Sequence, residues 1–119
     1  MKNIIEKSRE LTNQELYLLT MSPKSDSVKN HVGEHIDVSA WLLFEDTDRK
    51  TGEVHRVLSI LTPENEVLST ISPTFQKDFM DMAELFNNNF AFEIISGKSK
   101  AGREFITCAF VNFGYVLNL

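Results

Sequence analysis

Ser72-Pro73-Thr74-Phe75-Gln76-Lys77-Asp78-Phe79-Met80-Asp81-Met82-Ala83-Glu84-Leu85-Phe86 is the stretch whose placement decides the fold. Ser72 is the expected N-cap. Pro73 takes the first helical position, where its missing N–H costs nothing. Phe75, Phe79, Met82, Ala83 and Phe86 recur at helical spacing, and Gln76, Lys77, Asp78, Asp81 and Glu84 fall on the other side. The following Asn87-Asn88-Asn89 stops the helix, because asparagine side chains compete for backbone hydrogen bonds and tolerate turns.

The flanking segments alternate instead. From Glu53 to Leu61, Val54, Leu58 and Ile60 share one face and His55, Val57 and Ser59 the other, with Arg56 interrupting the apolar face. Pro63-Glu64-Asn65-Glu66 is a turn, and Val67–Ile71 a short extension of the strand. From Glu34 to Phe44, Ile36, Val38, Ala40 and Leu42 oppose Asp37, Ser39, Trp41 and Leu43, which predicts a half-buried strand with an aromatic on its second face. Leu16–Met21 reads as a first strand, and Ser22–Gly33 as the loop after it. The first eleven residues are weakly patterned, as in a short helix or a loose arm. Beyond the helix, Phe90–Ser96 and Arg103–Val111 are strands joined by the hairpin loop Gly97-Lys98-Ser99-Lys100-Ala101-Gly102. The apolar tail Asn112–Leu119 is expected to pack down or to meet another protomer.

The order strand, strand, strand, helix, strand, strand is that of the oligonucleotide-binding fold. The expected class is therefore mainly β (α+β): one domain, a five-stranded, partly open barrel with a single helix between strands three and four. Such a barrel binds its ligand on strands two and three and through the loops joining strands 1–2 and 4–5.

The 119 residues fit one domain, and 42% apolar residues with a mean hydropathy of -0.18 fit a globular chain. The longest apolar runs, such as Ala40–Phe44, fall far short of the ~18 residues of a membrane span. Met1–Lys7 has no extended apolar core, so no signal peptide is expected. The lone Cys108 points to a reducing, cytoplasmic compartment. Cys108, His31, His35 and His55 do not have the spacing of a structural zinc site. No cofactor is expected.

Seventeen acids against twelve bases give a net charge of -5, an average that argues against a polyanionic partner. The distribution argues otherwise. The Ser22–Gly33 loop holds Lys24 and Lys29 against Asp26, for +1, with His31 beside them. Gly97–Arg103 holds Lys98, Lys100 and Arg103 with no acid, for +3. Pro63–Ser96 holds Glu64, Glu66, Asp78, Asp81, Glu84 and Glu93 against Lys77, for -5. Both basic segments are the loops with which an oligonucleotide-binding barrel grips its ligand, so the pattern suits a narrow basic groove on an acidic body. Solvated loop lysines are the plainer alternative.

Bases stack on flat side chains with little regard to sequence. Trp41 is either a base platform or part of a small secondary core, because Leu43 shares its face. Phe44, Tyr17 and Phe105 are the other stacking candidates. Phe105 faces away from the Ile106/Cys108/Phe110 stripe. His55 and Arg56 are candidate phosphate contacts on strand three. Arg49 and Lys50 are expected to pair with the neighbouring Asp46 and Asp48.

From Gly33 to Val111 the chain resembles the single-stranded DNA-binding proteins of small tailed bacteriophages that replicate by protein priming. The resemblance is carried by Gly33-Glu34-His35-Ile36-Asp37-Val38-Ser39-Ala40, by Glu53–Ile71 with its ending Asn65-Glu66-Val67-Leu68-Ser69-Thr70-Ile71, and by Gly97-Lys98-Ser99-Lys100-Ala101-Gly102-Arg103-Glu104-Phe105. It implies an oligonucleotide-binding fold, abundance during infection, cooperative coating of displaced strands and no catalytic activity. It also implies a monomer or weak homo-oligomer in the host cytoplasm, with single-stranded DNA as partner and the replicative DNA polymerase as a candidate second one. The chain departs from the pattern in its low count of groove cations and in the pair Trp41 and Phe44 near the end of strand two.

The leading expectation is a non-enzymatic protein that coats single-stranded DNA. A phage-encoded interaction or host-inhibiting module with an acidic surface is the alternative. An enzyme is the weakest case: Glu45, Asp46 and Asp48 sit beside Arg49 and Lys50, and no nucleophile–base spacing is recognisable.

Overall fold

The computed structural model describes residues 2–88, 90–112 and 115–116. Its elements are β1 (Asn3–Lys7), α1 (Asn13–Met21), β2 (Asp26–Ser27), a 3-10 turn (Val28–His31), β3 (His35–Asp37), β4 (Ala40–Thr47), β5 (Val54–Leu61), β6 (Val67–Thr70), α2 (Pro73–Leu85), β7 (Ala91–Lys98), β8 (Glu104–Asn112) and β9 (Tyr115–Val116). The molecule is mainly β, with two helices and two sheets: β1-β4-β5-β6-β2 and β3-β7-β8-β9.

The alternating stretch Glu34–Phe44 bends where the two sheets part. The Val38 N–H donates to the Phe90 carbonyl just ahead of β7, and the Ser39 N–H donates to the Leu61 carbonyl of β5. Successive amides are thus satisfied by opposite sheets, so β3 joins one and β4 the other. Counted from this bent segment, the elements run strand, strand (β5), strand (β6), helix (α2), strand (β7), strand (β8). That part of the expected order is present, but it begins at the bent segment and not at Leu16–Met21, and β1, α1 and β2 precede it. Val67–Thr70 is a strand in its own right, antiparallel to β5. Among the described residues no ladder joins β6 to β8: the outer side of β6 takes the parallel β2, and the outer side of β8 takes β9. The sheets do not close.

Two expectations near the N-terminus are corrected. Leu16–Met21 is helix, not strand. The Thr12 hydroxyl accepts from the Glu15 N–H at 3.1 Å while the Glu15 carboxylate accepts from the Thr12 N–H at 2.9 Å, a reciprocal cap that starts α1. Residues 3–7 are neither helix nor arm but an edge strand antiparallel to β4, with a bulge at Ile5. Of the tail, Tyr115–Val116 pairs with the end of β8. The expectations for Asn89 and for the rest of the tail fall outside the described residues.

Helix α2 forms as expected: the Ser72 hydroxyl accepts from the Phe75 N–H, Pro73 opens the helix, and Asn87 and Asn88 take positive φ just past it. Phe75, Phe79, Met82 and Ala83 bury against Trp41, Leu43, Leu58, Ile60, Phe92 and Ile94. Helix α1 covers the opposite face of β4, where Leu19 meets Ala40, Leu42, Phe44, Leu61 and Val67. β4 is therefore buried on both faces, which is why Ala40–Phe44 is unbroken apolar sequence. Among the described residues no helix is long and apolar enough to cross a membrane.

Candidate nucleic-acid interface

The β7–β8 hairpin extends past β3 as a two-stranded ribbon. β3 pairs with β7 only at Ala91–Glu93, whereas β8 accompanies β7 to Lys98. The turn closes on itself: the Ser99 N–H donates to the Arg103 carbonyl, the Gly102 N–H to the Ser99 carbonyl, and the Arg103 N–H to the Ser99 hydroxyl. Gly102 has φ +80, a left-handed conformation that favours glycine. Lys98, Lys100 and Arg103 project from this ribbon exposed, with no carboxylate in ion-pair range among the described residues.

Phe105 sits directly across from Gly97 in the same ladder. A Cβ built on Gly97 would lie 2.8 Å from Phe105 Cζ and 3.2 and 3.3 Å from its two Cε atoms, so the ring rests on the glycine backbone. The ring remains 36% exposed. Glycine here does what no other residue does: it lets an aromatic lie flat against the strand while part of the ring meets solvent. Ile95 and Thr107 are the next pair on that face. A half-exposed aromatic held against the strand beside an exposed basic turn is a surface on which a base can stack while its phosphates are neutralised.

The segment before β3 reaches the same end of the second sheet. The Gly33 N–H donates to the Ile94 carbonyl at 2.7 Å, and the 3-10 turn packs against β6 and β7. Lys29, on this turn, and Lys24, ahead of β2, are exposed and free of ion pairs among the described residues. His31 is not free. Its Nδ1 meets Glu34 Oε2 and its Nε2 meets Asp26 Oδ2, each at 2.9 Å. Only the imidazolium donates from both nitrogens. Glu34 and then Asp26 hold its pKa above the ordinary imidazole value. His31 is a clamp on this segment and not a phosphate ligand.

The remaining candidates fall elsewhere. Trp41 is 2% exposed, which corrects its assignment as a base platform. Its indole N–H donates to Asn88 Oδ1 at 3.1 Å, and Asn88 in turn donates to the Ser8 carbonyl, so the side chain ties α2 to the N-terminal segment. Phe44 is buried at 3% under α1, with Lys2 Nζ 5.6 Å from the ring centroid. Tyr17 is 52% exposed, but on α1 rather than on a strand of either sheet. His55 lies 3.4 Å from Glu53. Arg56 lies on the first sheet, in a cleft none of whose lining residues belongs to the hairpin. The structure thus brings together Lys98, Lys100, Arg103 and Phe105 on one hairpin, with Lys29 on the 3-10 turn that packs against β7, whereas Lys24 lies beside α1 and the β5–β6 turn. It does not bring Trp41, Phe44, Tyr17, His31, His55 or Arg56 to that surface.

Two cations were misjudged from sequence. Asp48 does not pair with Arg49 or Lys50: its carboxylate accepts from the Lys50 and Thr51 N–H groups at 2.7 and 3.1 Å, which pulls its pKa down. Asp46 pairs with Lys2. Arg49 and Lys50 are therefore left exposed at the β4–β5 turn. The signal was available, since an aspartate two residues before a glycine-closed turn commonly caps the turn amides. Cys108 is inert, its thiol pushed up to about 12 by burial and then by Asp78.

No family model, no curated protein and no solved structure matches this chain.

Proposed function

We propose that this protein is a non-enzymatic single-stranded DNA-binding protein that engages its ligand chiefly through the β7–β8 hairpin. The observation that carries the reading is the Phe105 ring laid on Gly97 at the base of the turn that bears Lys98, Lys100 and Arg103. Stacking supplies sequence-tolerant affinity and the cations neutralise phosphates, with Lys29 extending the basic track. A duplex hides its base faces within its own stack, so this surface favours single strands.

The finer fold assignment belongs to the same proposal. A bent first strand shared by both sheets, two further strands, a helix and a terminal hairpin follow the plan of an oligonucleotide-binding domain left open between its third and fifth strands. The resemblance to single-stranded DNA-binding proteins of protein-primed bacteriophages supports the same reading, in which the protein coats displaced strands during phage DNA replication. Acidic residues then keep the body of the molecule from clinging to duplex DNA.

An electrophoretic shift with labelled oligo-dT and a duplex of equal length tests the proposal at 50 and 200 mM salt. Retardation of oligo-dT alone, weakening with salt, is the expected result. Equal retardation of both, or of neither, overturns it.

A further inference from the structure

β5 carries a second surface, on the side of its sheet that faces α2. Leu58 and Ile60 meet α2 in the core, and by strand alternation Val54 and Arg56 continue the same face towards the β4–β5 turn. The first turns of α2 stand opposite. Between them lies an open cleft of about 460 Å³, ample for one small ligand. The other face of β5 is covered by α1, where Val57 packs.

Charge singles this cleft out. The chain holds seventeen acids against twelve bases, yet no carboxylate lines it, and its ionisable members are Arg56, Lys77 and His55. Lys77 and His55 each have one carboxylate outside the lining, Asp81 at 3.2 Å and Glu53 at 3.4 Å. Arg56 is exposed and has none in ion-pair range among the described residues, and its cross-strand neighbour Glu45 accepts from Asn3 instead. The cleft between β1 and the second half of α2 is the reverse, lined by Glu6, Asp81 and Glu84 with no cation.

A fixed acceptor completes the site. Gln76 is 6% exposed, and its Nε2 donates to the Arg56 and Thr70 carbonyls at 2.8 and 3.0 Å. The reverse amide orientation would set Oε1 against those two carbonyls, so the oxygen is the atom left over. It has no protein donor among the described residues, and since no described buried polar atom is orphaned, it is open to the cleft. An acceptor here repels a phosphate and receives an N–H. The remaining walls include Val54, Ile71 and Met80, the first two largely exposed apolar surface.

We infer that this cleft receives one nucleotide of a single strand held at the hairpin, its base inward and its phosphate at the rim. The inference rests on the hairpin reading. The base lies against the apolar walls and donates an N–H to Gln76 Oε1, while the planar fork of Arg56, with Lys77, takes the phosphate. An inorganic phosphate or an acidic side chain meets the cations but gives Oε1 nothing. The two sites are joined through α2. The Thr107 hydroxyl, two residues along β8 from Phe105, donates to Asp78 Oδ2, and Asp78 is the chain neighbour of Lys77. Two strand residues span ~7 Å, so a strand leaving the Phe105 ring passes the first turns of α2 to reach the cleft.

Amide chemical shifts of the labelled full chain test the inference with a short oligo-dT and with the same oligomer of N3-methylthymine, which still stacks but has lost its base N–H. Oligo-dT is expected to move Val54, Arg56, Ile71, Gln76 and Lys77 together with Lys98–Phe105, at one midpoint. The methylated oligomer is expected to move the hairpin amides and leave Gln76 in place. Arg56→Glu, an exposed change, is expected to weaken oligo-dT binding at least fivefold and to lower the log–log salt slope by about 0.7, the share of one phosphate. Arg49→Glu, at the β4–β5 turn outside the cleft, controls for net charge and is expected to stay within twofold of the parent. Oligo-dT shifts confined to the hairpin overturn the inference and leave the proposed function standing. Equal losses from Arg49→Glu and Arg56→Glu overturn it too, as does a Gln76 shift that survives methylation or that inorganic phosphate reproduces. An absence of shifts at both sites overturns both readings.

Discussion

Removing the Phe105 ring is the perturbation that bears most narrowly on how the hairpin binds DNA. The ring lies on Gly97 and is 36% exposed, so Phe105→Ala takes away a stacking surface without opening a core cavity. One base–aromatic stack is worth ~1–3 kcal/mol, which corresponds to a loss of about 5- to 150-fold in affinity for oligo-dT. Gly97→Ala attacks the same platform from beneath. Gly97 does not have positive φ, so alanine suits its backbone, but the new Cβ would stand 2.8 Å from Phe105 Cζ and the ring must tilt away. Folding stability is expected to change by less than about 1 kcal/mol, because the displaced atom is the outer end of a half-open side chain. DNA affinity is expected to fall, though by less than in Phe105→Ala. In the double variant the glycine change costs nothing further, since the ring it displaces is gone. Fluorescence anisotropy with labelled oligo-dT at 50 mM salt reads all four proteins. Phe105→Ala within twofold of the parent, or strictly additive effects of the two changes, would refute the stacking role.

Four further outcomes follow from the packing and the charges. Trp41→Ala empties a buried site and is expected to cost about 3–5 kcal/mol in urea unfolding, while saturating oligo-dT leaves the emission of the intact Trp41 nearly unchanged. Thr12→Ala removes the α1 cap at about 1 kcal/mol. Glu15, held at about 2 first by Arg9 and then by the Thr12 N–H, stabilises the fold above the ordinary carboxylate range, and that contribution disappears as pH falls through about 2. His31 works in the opposite sense: its raised pKa makes its contribution complete below the ordinary imidazole value and lost as pH rises through the raised one. Asp26 is depressed by Asn30 and then His31 and loses its share on acidification, so amide protection in residues 22–34, measured against the intrinsic exchange rate at each pH, should be greatest at weakly acidic pH.

What the sequence disclosed depended on whether the governing interaction was local. Helix α2 was legible because its cap, its proline and its apolar spacing all lie within fifteen residues. The Phe105 face was legible from strand alternation alone. Helix α1 was missed although Thr12-x-x-Glu15 announced it, because the following Leu-Tyr-Leu-Leu run is apolar all round and hides its period. Trp41 and Leu43 were rightly opposed to Ala40 and Leu42 but wrongly to Ile36 and Val38, which share their core because the alternation breaks at the bend between β3 and β4. The larger error was to suppose the Trp41 side open, whereas α1 and α2 cover both faces of β4, and the unbroken run Ala40–Phe44 already carried that message. β1 had no local signature, since an edge strand of five exposed residues exists only through its pairing with β4. The charge map put Lys98, Lys100 and Arg103 on one exposed hairpin, where the structure has them, but it could not foresee that Asp26 and Glu34 would engage His31 from both sides.

The dependence of single-strand affinity on salt, with the hairpin charges intact and reversed, tests the central claim most directly. The parent protein should bind oligo-dT with log affinity falling linearly in log salt, by about 0.7 for each phosphate neutralised. Reversing Lys98, Lys100 and Arg103 to glutamate together should abolish binding at 200 mM salt and lower the slope by about 2, the share of three phosphate contacts. Undiminished binding with an unchanged slope in the reversed protein would contradict the account.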